Sequence, residues 1–124
     1  MSGQIEPSFV PLSPQVRELL EQILGAGTDH GAPQLRAQLP GALEARSEHG
    51  WIDFRVRADA PRICGPNYDF PVALAGDDAG APVWVVLWIR NGLLAELEVL
   101  REGLLWSEGL ARLAELELQP KQWD

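Results

Sequence analysis

The stretch PVWVVLWIRNGLLAELEVL, residues 82–100, decides the fold. Two apolar, β-prone runs flank Asn91-Gly92, a pair suited to the two-residue type I′ turn in which both central residues need positive φ. Strict alternation from that turn sets Arg90 opposite Leu93, Trp88 opposite Ala95, Val86 opposite Leu97 and Trp84 opposite Val99. This face is almost wholly apolar, so it is expected to be the core side of a sheet. The other face sets Val83, Val85, Leu87 and Ile89 against Leu94, Glu96, Glu98 and Leu100, with Glu96 facing Leu87 and Glu98 facing Val85. The expectation is therefore indoles inside and glutamates outside.

Glu96 and Glu98 on one strand lie roughly 7 Å apart from the strand rise. That spacing overlaps the range of inverting-glycosidase carboxylates, but any strand with alternating glutamates produces it. They are read as a solvated or ion-paired face, with Arg55 and Arg57 as the expected partners.

Working outward, residues 51–57 (WIDFRVR) alternate cleanly, which sends Ile52, Phe54 and Val56 inward and leaves Trp51, Asp53, Arg55 and Arg57 on a polar face. Residues 42–48 are expected to pair with this run through His49-Gly50. Upstream, Ser13 suits a helix N-cap with Pro14 at the first helical position, and Val16, Leu19, Leu20, Ile23 and Leu24 form one stripe. Gly25 is placed at the helix end. A second short helix starts near Pro33, includes Leu35 and Leu39, and is stopped by Pro40-Gly41. Residues 59–70 read as a loop, 72–75 as a short strand and GDDAGAP as a turn. Residues 107–118 fit a helix through Leu110 and Leu113 or an extended run through Leu116 and Leu118, and period alone does not separate the two. The fold class is thus α+β: an antiparallel sheet of four or five strands with the amino-terminal amphipathic helix packed on one face. A loosely ordered arm is expected over residues 1–12 and a single domain over 13–124.

The chain has 124 residues, a formal charge of −8 and a mean hydropathy of −0.08, which suits one core without covalent staples. That charge repels phosphate backbones and no basic patch offsets it, so nucleic acid is not an expected partner. The start MSGQIEPSF has no basic n-region and apolar h-region, so no signal peptide is expected. Nor is any apolar run long enough for a bilayer. Cys64 is the single cysteine, so no internal disulfide is possible, and a cytoplasmic setting is expected.

Catalytic and metal motifs are weak. His30 and His49 have no ligand at a metal spacing, so neither a metal nor another cofactor is expected. Gly25-Ala26-Gly27-Thr28 follows a helix rather than opening one and has no Walker lysine. A site around Cys64, Asn67 and Tyr68 would be needed for an enzyme or small-ligand binder. Residues 92–118 instead concentrate six glutamates against Arg101 and Arg112, a net of −4, interspersed with leucines and Trp106. Glu96, Glu98, Leu100, Glu102 and Trp106 are accordingly the expected partner-binding residues, where aromatic anchors and steering charges would meet a basic protein.

The hairpin, with its Asn91-Gly92 turn and Leu94-x-x-Leu97-Glu98 return, preceded by the LRAQL segment at Leu35, resembles a pattern of small uncharacterised bacterial proteins. Some of these are similar to immunity proteins of polymorphic or contact-dependent toxin systems. The resemblance implies a non-enzymatic protein-binding domain that neutralises a basic toxin through an acidic sheet face; it supplies no catalytic residues. The alternative partner is a second copy of the chain, through an apolar sheet face.

Overall fold

The computed structural model describes residues 8–27, 32–47, 51–57, 59–61 and 70–120. The chain runs β1 (Val10–Pro11), α1 (Pro14–Gly27), α2 (Ala32–Gln38), a 3-10 turn (Leu39–Gly41), β2 (Leu43–Arg46), β3 (Trp51–Arg55), β4 (Phe70–Asp78), β5 (Ala81–Arg90), β6 (Leu93–Arg101), β7 (Leu104–Leu105), α3 (Gly109–Arg112), a second 3-10 turn (Leu113–Glu115) and β8 (Gln119–Pro120). All strands join one antiparallel sheet in the order β1-β2-β3-β6-β5-β4-β8, with β7 continuing beside β6. The class is α+β as expected. Five strands have four residues or more, and the two-residue strands β1, β7 and β8 extend the count beyond the expected four or five. The expected amino-terminal arm contributes β1 at its end.

Three two-residue turns of one kind build the meander from β4 to β7. Ala79-Gly80, Asn91-Gly92 and Glu102-Gly103 all have positive φ at both positions (52° and 94°, 54° and 75°, 54° and 82°), the type I′ signature that matches strand twist. Only the Asn-Gly pair announces itself, because alanine and glutamate are poor left-handed residues. The strand expected at 72–75 is therefore longer, reaching Asp78 before the first of these turns.

The amino-terminal helix forms where Ser13 stops it from fraying. The Val16 N–H donates to Ser13 Oγ at 3.2 Å, and Pro14 takes the first helical position. Glu44 on β2, 2% exposed, accepts from the Ser13 N–H at 2.6 Å and pairs with Arg46 at 2.6 Å. Arg46 in turn donates to Ser13 Oγ, so strand and helix start are tied together. The helix continues past Gly25 to Gly27, so Gly25 is not its end. Val16, Leu20, Ile23 and Leu24 sit under it fully buried, with Leu35 and Leu39 beside them and Val72, Leu74, Val83, Val85, Leu87, Ile89, Leu97 and Val99 from the sheet below. Each such side chain withdrawn from water contributes about 1.5–3 kcal/mol.

The hairpin register departs from strict alternation. Arg90 faces Leu93 and Ile89 faces Leu94, but then the ladder shifts: Trp88 faces Glu96, Val86 faces Glu98 and Trp84 faces Leu100. Ala95 is the extra residue of a β-bulge. Beyond it Leu97 and Val99 still point to the core as expected, but they pair with Leu87 and Val85 on the helix side, so it is the β5 side chains that exchange faces relative to the expectation. The expected interior position of Trp84 and Trp88 is corrected: they lie on the other face, together with the glutamates. The cause is the Leu94-x-x-Leu97-x-Val99 spacing. No two-residue period buries all three, and one extra residue does.

Candidate interaction surface

The buried helical residues all pack on the Val83–Val85–Leu87–Ile89 side, so among the described residues no helix packs on the opposite face. Its side chains follow from the register. One row across the sheet holds Asp53, Glu96, Trp88 and Pro71; the next holds Trp51, Glu98, Val86 and Ala73; a third holds Leu105, Leu100, Trp84 and Ala75. Trp84 is 37% exposed and Leu105 38%, while Val86 and Ala73 are buried between larger neighbours. Trp51, Trp88, Asp53, Glu96, Glu98 and Leu100 are half-buried.

Charge on this face is organised in sets. Trp88 Nε1–H donates to Glu98 Oε1 at 2.5 Å, which satisfies the indole donor. Arg90 donates to Glu96 Oε1 at 2.7 Å, and its guanidinium lies 5.4 Å from the Trp88 ring centre. Arg55 stacks at 4.2 Å over Phe9 and Arg57 pairs with Asp59 at 3.1 Å, so neither is the expected partner of the glutamates. Asp53 sits directly opposite Glu96; burial first, and the Glu96 charge second, push its carboxyl above the ordinary range. Among the described residues neither Asp53 nor Glu98 has a cationic partner.

The expected partner-binding residues are brought together only in part. Glu96, Glu98 and Leu100 share the open face. Glu102 is exposed in the β6–β7 turn. Trp106 lies on the helix side, packed against the core, and its backbone N–H donates to Val99 O at 2.9 Å. There Arg101 and Arg112 both approach its ring to 5.9 Å and converge on the buried Asp78, each at 3.0 Å. The sheet thus divides the acidic, leucine-rich carboxyl-terminal stretch between two sides. Alternation over residues 51–57 already set Trp51 and Asp53 on the polar face; the residues it misplaced are Trp84 and Trp88, and the Leu94-x-x-Leu97 spacing was the signal that would have found them.

Elsewhere, a groove of about 270 Å³ runs between α1 and the carboxyl-terminal segment, lined by Leu19, Leu110, Leu113, Leu116 and Leu118 with Gln15 and Gln22 at its rim. Among the described residues no three His, Cys, Asp or Glu side chains gather as metal ligands, and no helix is long and apolar enough to cross a membrane. Cys64, Asn67, Tyr68, His30 and His49 lie outside the described residues. No protein-family model, curated protein or solved structure matches the chain.

Proposed function

We propose that this chain is a non-enzymatic protein-binding domain whose open sheet face receives a basic protein. The observation that supports this most is the shared face of Trp51, Trp84 and Trp88 with Glu96, Glu98 and Asp53. Half-exposed indoles supply apolar area at little entropic cost, and carboxylates beside them select and steer cations. The charge of −8 reinforces that steering at low salt. The hairpin's resemblance to immunity proteins extends the reading to a basic toxin domain as the partner, blocked by occlusion. The test is capture on the immobilised chain, compared with the E96K/E98K double variant. The expected result is a basic protein retained by the parent chain, lost on charge reversal and released by 0.5 M salt. Retention indifferent to both, or no retained protein, contradicts the proposal.

A second copy is the other candidate occupant, favoured by the exposed row Trp84, Leu100 and Leu105. Sedimentation at tens of micromolar separates the two. The basic-partner reading expects a monomer; a dimer dispersed by Trp84→Ala assigns the face to self-association.

A further inference from the structure

We infer that residues 107–118, between β7 and β8, form a strap that lifts from the core as a unit, with the Arg112–Asp78 ion pair as its catch. The inference is independent of the open sheet face. The strap's backbone lies hard against the sheet at two points: no Cβ would fit at Gly109 against Val99, nor at Gly76 beneath the Glu117 carbonyl. Between these points Leu113 is the only strap side chain fully withdrawn from water, while Leu110 and Leu116 are half-buried. On the α1 side the packing does not close. The groove of about 270 Å³ separates helix and strap there, crossed by a hydrogen bond from Gln15 Nε2 to Leu110 O at 2.6 Å.

The ionic part of the hold is arranged to let go at little cost. Arg112 on the strap and Arg101 on β6 each donate to one oxygen of the Asp78 carboxylate, both at 3.0 Å. Arg112 also donates through Nε to Glu115 Oε2 at 3.1 Å, within the strap itself. When the strap lifts, Asp78 keeps Arg101 and Arg112 keeps Glu115. Neither charge is stranded, so the large penalty for leaving one ion of a pair uncompensated does not arise. The two guanidiniums also repel one another across the shared carboxylate and the Trp106 ring, which each approaches to 5.9 Å. Arg101 therefore weakens the catch as well as making its release cheap. Lifting widens the groove over α1, so the state of one ion pair sets how much of Leu19 and the core beneath meets solvent.

The test is thiol labelling of the whole folded chain with methyl methanethiosulfonate, the native thiol being removed by Cys64→Ser. Leu113→Cys puts a buried thiol under the strap and, in a separate protein, Val85→Cys puts one in the sheet, where it reads global unfolding. The expected result is that L113C reacts about tenfold faster than V85C, because the strap opens without the core. Arg112→Gln should quicken L113C about fivefold, the equivalent of one partly exposed ion pair. Arg101→Gln should do the reverse and slow L113C about twofold relative to V85C, since Arg112 then holds Asp78 alone and unopposed. Equal rates for L113C and V85C overturn the inference. So does an Arg101→Gln chain that quickens L113C as Arg112→Gln does, the behaviour of a merely structural cluster. Should Arg112→Gln unfold the chain, seen as both thiols reacting alike, the salt response of L113C alone decides. A rise of about threefold from about 0.05 to about 0.5 M salt bears the catch out, and an unchanged rate overturns it.

Discussion

Gln38 is the residue whose replacement would be felt furthest. It is 1% exposed, and its amide nitrogen donates to Pro61 O at 2.8 Å and Gly92 O at 3.0 Å while its oxygen accepts from Leu94 N at 2.9 Å. One side chain thereby fixes the end of α2, the turn after β5 and the 59–61 segment. Gln38→Leu keeps the volume but strands the backbone groups of Gly92 and Leu94, at about 1–3 kcal/mol for each buried group left unpaired. Chemical denaturation should show a loss of roughly 2–4 kcal/mol with an unchanged denaturant slope. Asp53 acts in the opposite sense. Its folded carboxyl titrates above the ordinary 3.8, so the native state holds its proton more tightly than the unfolded chain does. Stability from this group is therefore greatest at acid pH, falls as pH rises from 3.8 through the raised value, and stays lower above it. Asp53→Asn should raise the neutral-pH stability by under about 1 kcal/mol and remove that falling limb, as read from Tm against pH.

Among the elements, β6 holds the decisive feature, the bulge at Ala95. Deleting Ala95 leaves Leu94 opposite Ile89 and Glu96 opposite Trp88 in an uninterrupted ladder, with every buried side chain on its present face. The deletion variant should fold cooperatively and lie within about 1–2 kcal/mol of the parent. Were β6 unbulged, the same deletion would turn Leu97 and Val99 to the wrong side, and cooperative unfolding would vanish. The α1 stripe, the Ser13 cap, the Leu35–Leu39 segment and the inward Ile52 and Phe54 follow from period and capping chemistry, because each has polar residues on its other side to break the symmetry. The run from Val83 to Ile89 has none: both of its faces are apolar, so it fits either register, and the decision fell to the single spacing irregularity in β6. The short strands were illegible for another reason. β1, β7 and β8 have two residues each and exist through tertiary pairing, not propensity. The candidate surface was half legible: Glu96, Glu98 and Leu100 were placed together by alternation within one strand, whereas Trp106, beyond a second turn, crossed to the other side.

For the molecule as a whole, the division of labour is between two faces of one sheet. The side under the helices is filled mostly by aliphatic residues, with Phe54 among them, and closed at one end by Asp78 between Arg101 and Arg112. The other side presents indoles and carboxylates, among them the set in which Arg90 meets the Glu96 carboxylate and the Trp88 ring. On the proposed reading, selectivity for a basic partner would come from that arrangement rather than from the total charge, since an exposed charge without apolar framing contributes little. The most direct test is an isotope-edited NOESY experiment on the tryptophan rings. The bulged register predicts cross-peaks from the Trp88 indole N–H to the Glu98 side chain and from the Trp84 ring to Leu100, with none to the methyl groups of Val16, Leu20 or Ile23. Cross-peaks from Trp84 or Trp88 to those α1 methyls would place the indoles inside and contradict it.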